Sequence, residues 1–433
     1  MALDVLPTAA TALNREQLEA RFKLRMSEDL ALGRQVSYAG NKRIPFLRLY
    51  RYKEAFSLSL VNRLLDEFDA GPNDIVFDPF AGMGTTLFAS MLRGLASIGI
   101  DRLPIGVFVA KTLPSFFGVE PGILMQTYER LQPTIQGRVL AHVATDVQLI
   151  RLAFDEPTLV RLRQWKTAIE ELEPPLRDIF LVLFFGALES VSYTSNDGQF
   201  PRLKLDKKVK HPDQALREKV ADAEADLMRA PMLLQKGATR PEPLVLQGDA
   251  RDCVSLMDGV RPTILITSPP YANRYDYTRS YCLELCFHFV RDFGELRNLR
   301  FSILRSHIEA KTQAADAPVH SALQEVNGLL VARRLNNPRI LPMLIAYFVD
   351  MKRVIEQWAA ILAPRARVAM VVDNVRFDGE IVPVDLILSE LAEECGFLVK
   401  EIRVARYKGN SSQQMGRFGR EVVRESIVFW ERL

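Results

Sequence analysis

Apolar positions recur with two periods along the chain, and the change from one period to the other marks its parts. Leu18, Phe22, Met26 and Leu30 fall every four residues behind Asn14 and Gln17, which resemble a capping box, so an amphipathic helix is predicted over about 15–32. Gly40 and Pro45 mark a loop, and a second helix is predicted over 58–68, stopped by Gly71 and Pro72. The run DIVFD at 74–78 then reads as a strand, 85–93 as a helix, 96–101 as a strand and 104–112 as another helix. This βαβα order opens a doubly wound α/β sheet. The same grammar returns late, with strands at 244–248, 263–267 and 367–372 and helices at about 342–362 and 382–394. Two closing strands, about 397–404 and 425–431, flank a glycine-rich loop.

Two stretches do not read as sheet units. Residues 113–240 are mostly helical, with the apolar run IFLVLFFGAL and then the polar, basic SNDGQFPRLKLDKKVKHP; residues 280–340 are helical and arginine-rich. The chain is therefore divided into an N-terminal helical segment (1–49), a sheet domain in three pieces (50–112, 241–279 and 340–433), and two helical insertions (113–240 and 280–339). No repeat and no low-complexity tract stands out.

Composition narrows the class. A chain of 433 residues that is 48% hydrophobic and 25% charged has the profile of a soluble globular protein with a large core, which excludes wholesale disorder and collagen-like repeats. The longest apolar stretch, from Ile179 to Leu188, is far short of the ~20 residues a membrane helix needs. The N-terminus also lacks a basic segment followed by an apolar one, so a cytoplasmic protein is expected. Cys253, Cys282, Cys286 and Cys395 are too scattered for a disulfide scaffold. Cys282, Cys286 and His288 sit in an apolar helical pattern and read as core rather than as a metal site. The net charge of +3 announces no partner by itself, but two segments concentrate it. Residues 201–210 carry Arg202, Lys204, Lys207, Lys208 and Lys210 against Asp206; residues 403–424 carry Arg403, Arg406, Lys408, Arg417, Arg420 and Arg424 against Glu421. Both are read as solvated faces or as contacts to nucleic-acid phosphates.

Two constellations carry chemistry. The first is Asp78-Pro79-Phe80-Ala81-Gly82-Met83-Gly84-Thr85-Thr86, where a strand ends and a helix begins. Glycines there allow a tight turn and a close ligand, at the edge where open α/β sheets bind. A dinucleotide fingerprint wants a third small residue, and Leu87 stands there instead, which argues against NAD or FAD. Asp101, at the end of the next strand, is placed to accept from ribose hydroxyls, so a nucleoside ligand without a pyrophosphate fits better. Read without the second constellation, the same residues would be a plain strand-turn-helix junction.

The second constellation is Ser268-Pro269-Pro270-Tyr271, directly after the apolar TILIT. Such a string arises by chance in roughly one chain in several hundred of this length. It is a rigid turn, or a device for gripping an exocyclic amine: the Ser268 hydroxyl and the carbonyl between the prolines accept, and Tyr271 stacks on a planar base. Two acceptors holding the amine hydrogens would aim its lone pair at an electrophilic methyl group.

Together, DPFAGMGTT and SPPY resemble the S-adenosylmethionine-dependent amino-methyltransferases that methylate the exocyclic amine of cytosine or adenine in DNA. The resemblance implies a Rossmann-like methyltransferase sheet, mostly parallel with an antiparallel last strand. It also implies that Asp78, Pro79, Phe80, Ala81, Gly82, Gly84, Thr85 and Thr86 line the cofactor, with Asp101 as the ribose ligand. Asp249 and Ala250, in LQGDARD, would lie near the cofactor adenine. Lys53 and Phe56, in YRYKEAFSLSL, would complete its pocket, and Ser268 to Tyr271 would hold a flipped base. Serine at the first position is what cytosine-N4 enzymes usually show. The implied function is transfer of methyl to cytosine N4 in duplex DNA, with the three sheet pieces as the catalytic domain, residues 113–240 as the candidate target-recognition region and residues 280–339 as a candidate DNA-contacting region. Adenine-N6 methylation, guanine-N2 methylation of RNA, and a catalytically silent cofactor-binding subunit are the competing readings. Any restriction endonuclease partner would be a separate chain. ANRYDYTRSY and RYKGNSSQQMGRFGR read as further cleft elements, or as a helix start and a hairpin loop.

Overall fold

An open sheet runs through the molecule, and the alternation of its side chains builds a core on each face. The computed structural model describes residues 9–195, 201–233, 240–313, 316–333, 335, 337–409, 419 and 421–433. The strands are β1 (Met26–Glu28), β2 (Ile75–Asp78), β3 (Ala96–Asp101), β4 (Leu244–Gln247), β5 (Ile264–Thr267), β6 (Arg367–Asp373), β7 (Phe397–Lys408) and β8 (Val423–Arg432). They lie in the order β1-β7-β8-β6-β5-β2-β3-β4. Every neighbouring pair is parallel except those made by β8, the last strand, which runs antiparallel to β7 and β6. This is the doubly wound α/β architecture expected.

Along β6, Val368, Met370 and Val372 join one apolar cluster while Ala369 and Val371 join the other, and β5 divides Leu265 from Ile264 and Ile266 in the same way. Helices α1 (Ala9–Phe22), α6 (Ile340–Ile361) and α7 (Val384–Glu394) cover the first face through residues such as Phe22, Leu344 and Ile387. Helices α2 (Leu58–Glu67), α3 (Thr85–Leu92), α4 (Pro104–Thr112) and α5 (Leu176–Val191) cover the second. Ser57 caps α2, its hydroxyl accepting from Leu60 N. The apolar run of the first insertion is α5, buried from Ile179 to Phe185 against this second face. Gly186 lets α5 approach the chain at Leu49, whose carbonyl would lie 2.3 Å from an added Cβ. Residues 113–195 and 201–233 therefore share a core with the sheet. No single described helix is long and apolar enough to cross a membrane, although the bent pair Pro104–Gly118 and Ile123–Thr134 has the length and composition.

Several elements differ from expectation. The first helix starts at Ala9 and ends at Phe22, so Asn14 lies inside it rather than at its cap. Met26–Glu28 instead leaves the helix to pair in parallel with Ile402–Val404 at the sheet edge, and Leu30 is left 54% exposed. Ladder hydrogen bonds outweigh the local four-residue pattern there. Cys282 and Cys286 belong to a broken helix, Cys282–Glu284 followed by a π-helical turn at Leu285–Phe289, and both are buried in the core as read. His288 packs near Phe108 and Phe185 and faces Glu170. A hairpin of Val375–Phe377 and Glu380–Val382 was not legible as strands.

Candidate active site

The order of the sheet fixes where a ligand can enter. From β2 the chain winds to β3 and β4 on one side and, through β5 and β6, to the other, so the carboxyl ends of β2 and β5 sit side by side at the switch point. The two motif loops leave from these ends. Thr267, the last residue of β5, donates its hydroxyl to Asp78 Oδ1 at 2.6 Å, while Thr86 donates to Oδ2 at 2.7 Å and Phe80 N to Oδ1 at 3.1 Å. A cavity of about 290 Å³ opens above this junction.

One half of the cavity is walled by Asp78, Pro79, Phe80, Ala81, Gly82 and Thr85 from the first loop, Asp101 from β3, Asp249 and Ala250 after β4, and Tyr52 to Phe56 before α2. Asp101 receives Gly82 N at 2.7 Å on one oxygen and Leu103 N at 2.8 Å on the other, which points the carboxylate across the loop. Burial pushes the carboxyls of Asp78 and Asp101 up to about 6, against the hydrogen bonds that hold them down. Asp249 behaves oppositely: burial alone would raise it, but Arg251 Nε at 2.9 Å and Nη2 at 2.7 Å hold it below the usual range. Lys53 and Phe56 reach this wall, as read from the sequence.

Gly84 and Thr86 do not face the cavity. Gly84 adopts φ +84° at the N-terminus of α3, and an added Cβ would meet Ala110 Cβ at 2.8 Å; its smallness lets α4 pack against the loop. Thr86 is fully buried and serves Asp78. Gly82 does face the cavity, with φ +51° and Tyr52 over it, 2.9 Å from where a Cβ would stand.

The other half is built from four distant segments: Ser268 to Tyr271, Asp373 at the end of β6, Arg406 and Lys408 on β7, and Glu425 on β8. Ser268 Oγ donates to Val371 O at 3.2 Å, and no described backbone donor takes the Pro269 carbonyl. Tyr271 donates its hydroxyl to Glu425 Oε1 at 3.0 Å, and burial raises this phenol well above its ordinary value. Asp373 and Glu425 stand opposite each other in the β6/β8 ladder. Lys408 Nζ bridges them, 3.0 Å from Asp373 Oδ2 and 2.8 Å from Glu425 Oε1, and lies 5.6 Å from the Tyr271 ring centroid. Burial lifts the Asp373 carboxyl to about 6, partly offset by Lys408, and its Oδ1 is buried without a hydrogen-bond partner among the described residues.

Sequence reasoning missed Asp373, Glu425, Glu54 and Tyr52, whereas ANRYDYTRSY was read as a cleft element. Tyr52 stacks on Tyr281 with centroids 4.6 Å apart, and Glu54 accepts from Tyr281 in the wall; burial raises its carboxyl. Asn273, Tyr275 and Tyr277 of ANRYDYTRSY also line the cavity. The only signal for Glu54 is an acid set among aromatics in YRYKEAF.

The basic runs fare differently. Arg202, Lys204, Lys208 and Lys210 are exposed and stand outside the cavity wall. Lys207 turns inward, its ammonium donating to Glu189 O, Ser192 O and Thr194 O at 2.5, 2.9 and 2.7 Å, and burial lowers it. Arg406 pairs with Glu425 and Lys408 with both acids, so these two belong to the cavity wall rather than to an open phosphate-facing surface. Arg403 pairs with Glu67 and Arg424 with Asp385. Arg417 and Arg420 lie outside the described residues.

Comparison with known proteins decides the family. The profile described as DNA methylase, for N6 and N4 methyltransferases, matches residues 33–104. The type II methyltransferase M.AvaI of Nostoc sp. is 33% identical over 448 residues, covering 96% of this chain and 92% of its own. The chain belongs to the DNA amino-methyltransferase family. The type II methyltransferase M.BsoBI of Geobacillus stearothermophilus is 30% identical over 98% of this chain and 93% of its own. Among solved structures, an rRNA methyltransferase AviRa from Streptomyces viridochromogenes aligns at 13% identity over 87% of this chain and 85% of its own, with a TM-score of 0.29, too loose to carry weight.

The cofactor of this amino-methyltransferase is S-adenosylmethionine, and the first half of the cavity fits it. Asp101 and Glu54 offer carboxylates to a ligand that carries a sulfonium and an ammonium, Phe80 and Tyr52 give apolar walls, and Thr85 Oγ1 is buried at the loop without a partner among the described residues.

Proposed function

We propose that this methyltransferase acts on the N4 amine of a cytosine flipped out of duplex DNA, with Ser268, Pro269, Pro270 and Tyr271 as its base-holding residues. Flipping is required because N4 is engaged in the base pair. The observation that carries the reading is the Ser268 hydroxyl, whose one proton is taken by Val371 O at 3.2 Å or by the Tyr271 hydroxyl oxygen at 3.4 Å while its lone pairs remain for an amine hydrogen. The Pro269 carbonyl is a second acceptor, and Tyr271, held upright by Glu425, presents a ring for stacking. When bound, S-adenosylmethionine supplies the electrophilic methyl carbon. Phe80, Gly82, Thr85, Asp101 and Asp249 are the proposed cofactor contacts, with Asp78 bracing the loop and Asp101 taking ribose hydroxyls. An amine that gains a methyl group must lose a proton, and Asp373, deprotonated above pH about 6 with one oxygen unpaired among the described residues, is the acceptor within the base half.

Arg202, Lys204 and Lys208 are the proposed phosphate contacts of the first insertion, flanked by the anchoring Lys207. Relatives named type II methyltransferases support a restriction-modification role, with the endonuclease a separate chain. The test is to incubate the full chain with duplex DNA and cofactor, digest to nucleosides and read the product by mass spectrometry. N4-methylcytosine is expected. N6-methyladenine overturns the base assignment, and methyl groups only in RNA overturn the DNA reading.

A further inference from the structure

His307 has no use in the chemistry above, yet it is fully buried and neither ring nitrogen has a hydrogen-bond partner among the described residues. An imidazole always carries a donor and, when neutral, an acceptor, so two unmatched nitrogens call for a ligand. Nδ1 lies 3.6 Å from Glu309 Oε2, and Asp276 completes a group whose ligating atoms all fall within 4.8 Å of one another. Asp276 is also fully buried. Its Oδ1 accepts from Thr278 N at 2.9 Å and Thr278 Oγ1 at 2.6 Å. Its Oδ2 has no hydrogen-bond partner among the described residues and lies 2.8 Å from the Arg300 guanidinium.

We propose that Asp276, His307 and Glu309 bind one divalent ion of the zinc class, through one nitrogen and two carboxylate oxygens. Ligands at ~2.0–2.1 Å from a tetrahedral centre stand ~3.4 Å apart, close to the His307–Glu309 separation, and zinc takes this mixed donor set. Two carboxylates against one guanidinium leave a net negative charge for a dication. Arg300 and Thr278 are the outer partners that fix Asp276, and Glu309, 32% exposed at its side chain, opens the path to solvent. The ion is a clasp, not part of the reacting centre, since none of its three ligands lines the cavity. Asp276 caps the short helix Tyr277–Ser280 just after the Ser268–Tyr271 turn, and Arg274 N donates to Ser306 O at 3.1 Å. The ion would tie this segment to Ser302–Leu304, which closes the same cavity.

The test uses the full chain without an affinity tag, stripped with a chelator and titrated with Zn²⁺ by calorimetry, with melting temperature followed in parallel. The expected result is saturation at one equivalent and a rise in melting temperature that chelator reverses. Glu309→Gln should weaken binding at least about tenfold, and His307→Ala should abolish it. Should His307→Ala fail to fold, the part-exposed Glu309→Gln variant decides. Absence of saturable binding, or binding equal in Glu309→Gln and the parent, overturns the site.

Discussion

The two halves of the cavity are built on different plans. The cofactor half comes largely from one continuous stretch, β2 to β3, and its acids are held by nearby groups: Gly82 N and Leu103 N on Asp101, Thr86 and Thr267 on Asp78. The base half is assembled from four strand ends far apart in sequence and held by ion pairs among Lys408, Arg406, Asp373 and Glu425. A frame of backbone amides and threonine hydroxyls fixes a constant ligand. A ring of coupled charges around Tyr271 suits a substrate that enters and leaves. The difference predicts that damage to the first half reaches folding or cofactor affinity, while damage to the second reaches turnover alone.

The largest expected effect is Gly84→Val. Its φ of +84° and the 2.8 Å clash with Ala110 destabilise the fold by about 3 kcal/mol or more. Thermal melting should show a lowered midpoint; an unchanged midpoint with lost cofactor affinity would return Gly84 to the ligand. Asp373→Asn should lower kcat about 100-fold, the scale of one positioned proton acceptor. In the parent enzyme kcat should rise through pH about 6, because the deprotonated carboxylate is the acceptor, and the variant should lose that limb. Asp101→Ala should instead raise the KM for S-adenosylmethionine about tenfold, the cost of one charged hydrogen bond, with little change in kcat. If these two variants moved the same parameter, the division of the cavity would be wrong. The smallest effect belongs to the exposed run. Changing Lys204 and Lys208 to Ala should flatten the salt dependence of DNA binding by about one unit of slope per contact, and an unaltered slope would make the run a solvated face.

How much of this could be read from the chain follows the same division. Asp78 to Thr86 and Asp101 were legible because turn, helix start and next strand are contiguous, although the sequence could not tell that Gly84 and Thr86 serve packing. Ser268 to Tyr271 was legible as a rare string. Asp373 and Glu425 were not, since each is a single acid at the end of an apolar strand, and only the β6/β8 pairing brings them together. In the run from Arg403 to Arg424, the pairing of Arg403 and Arg424 was hidden for the same reason. Glu67, Asp385 and Glu19, which pair with Arg403 and Arg424, are remote in sequence and absent from any local count of charge.

The most direct test of two separable halves is a calorimetric titration of S-adenosylmethionine into the Tyr271→Ala variant, beside its turnover on duplex DNA. Base–aromatic stacking of about 1–3 kcal/mol sets the expected loss of turnover at about 10- to 100-fold. Cofactor affinity should stay within about a factor of two of the parent, because the Tyr271 hydroxyl bonds to Glu425 and not to the first half. Full turnover in this variant, or loss of cofactor affinity in step with turnover, would contradict the account.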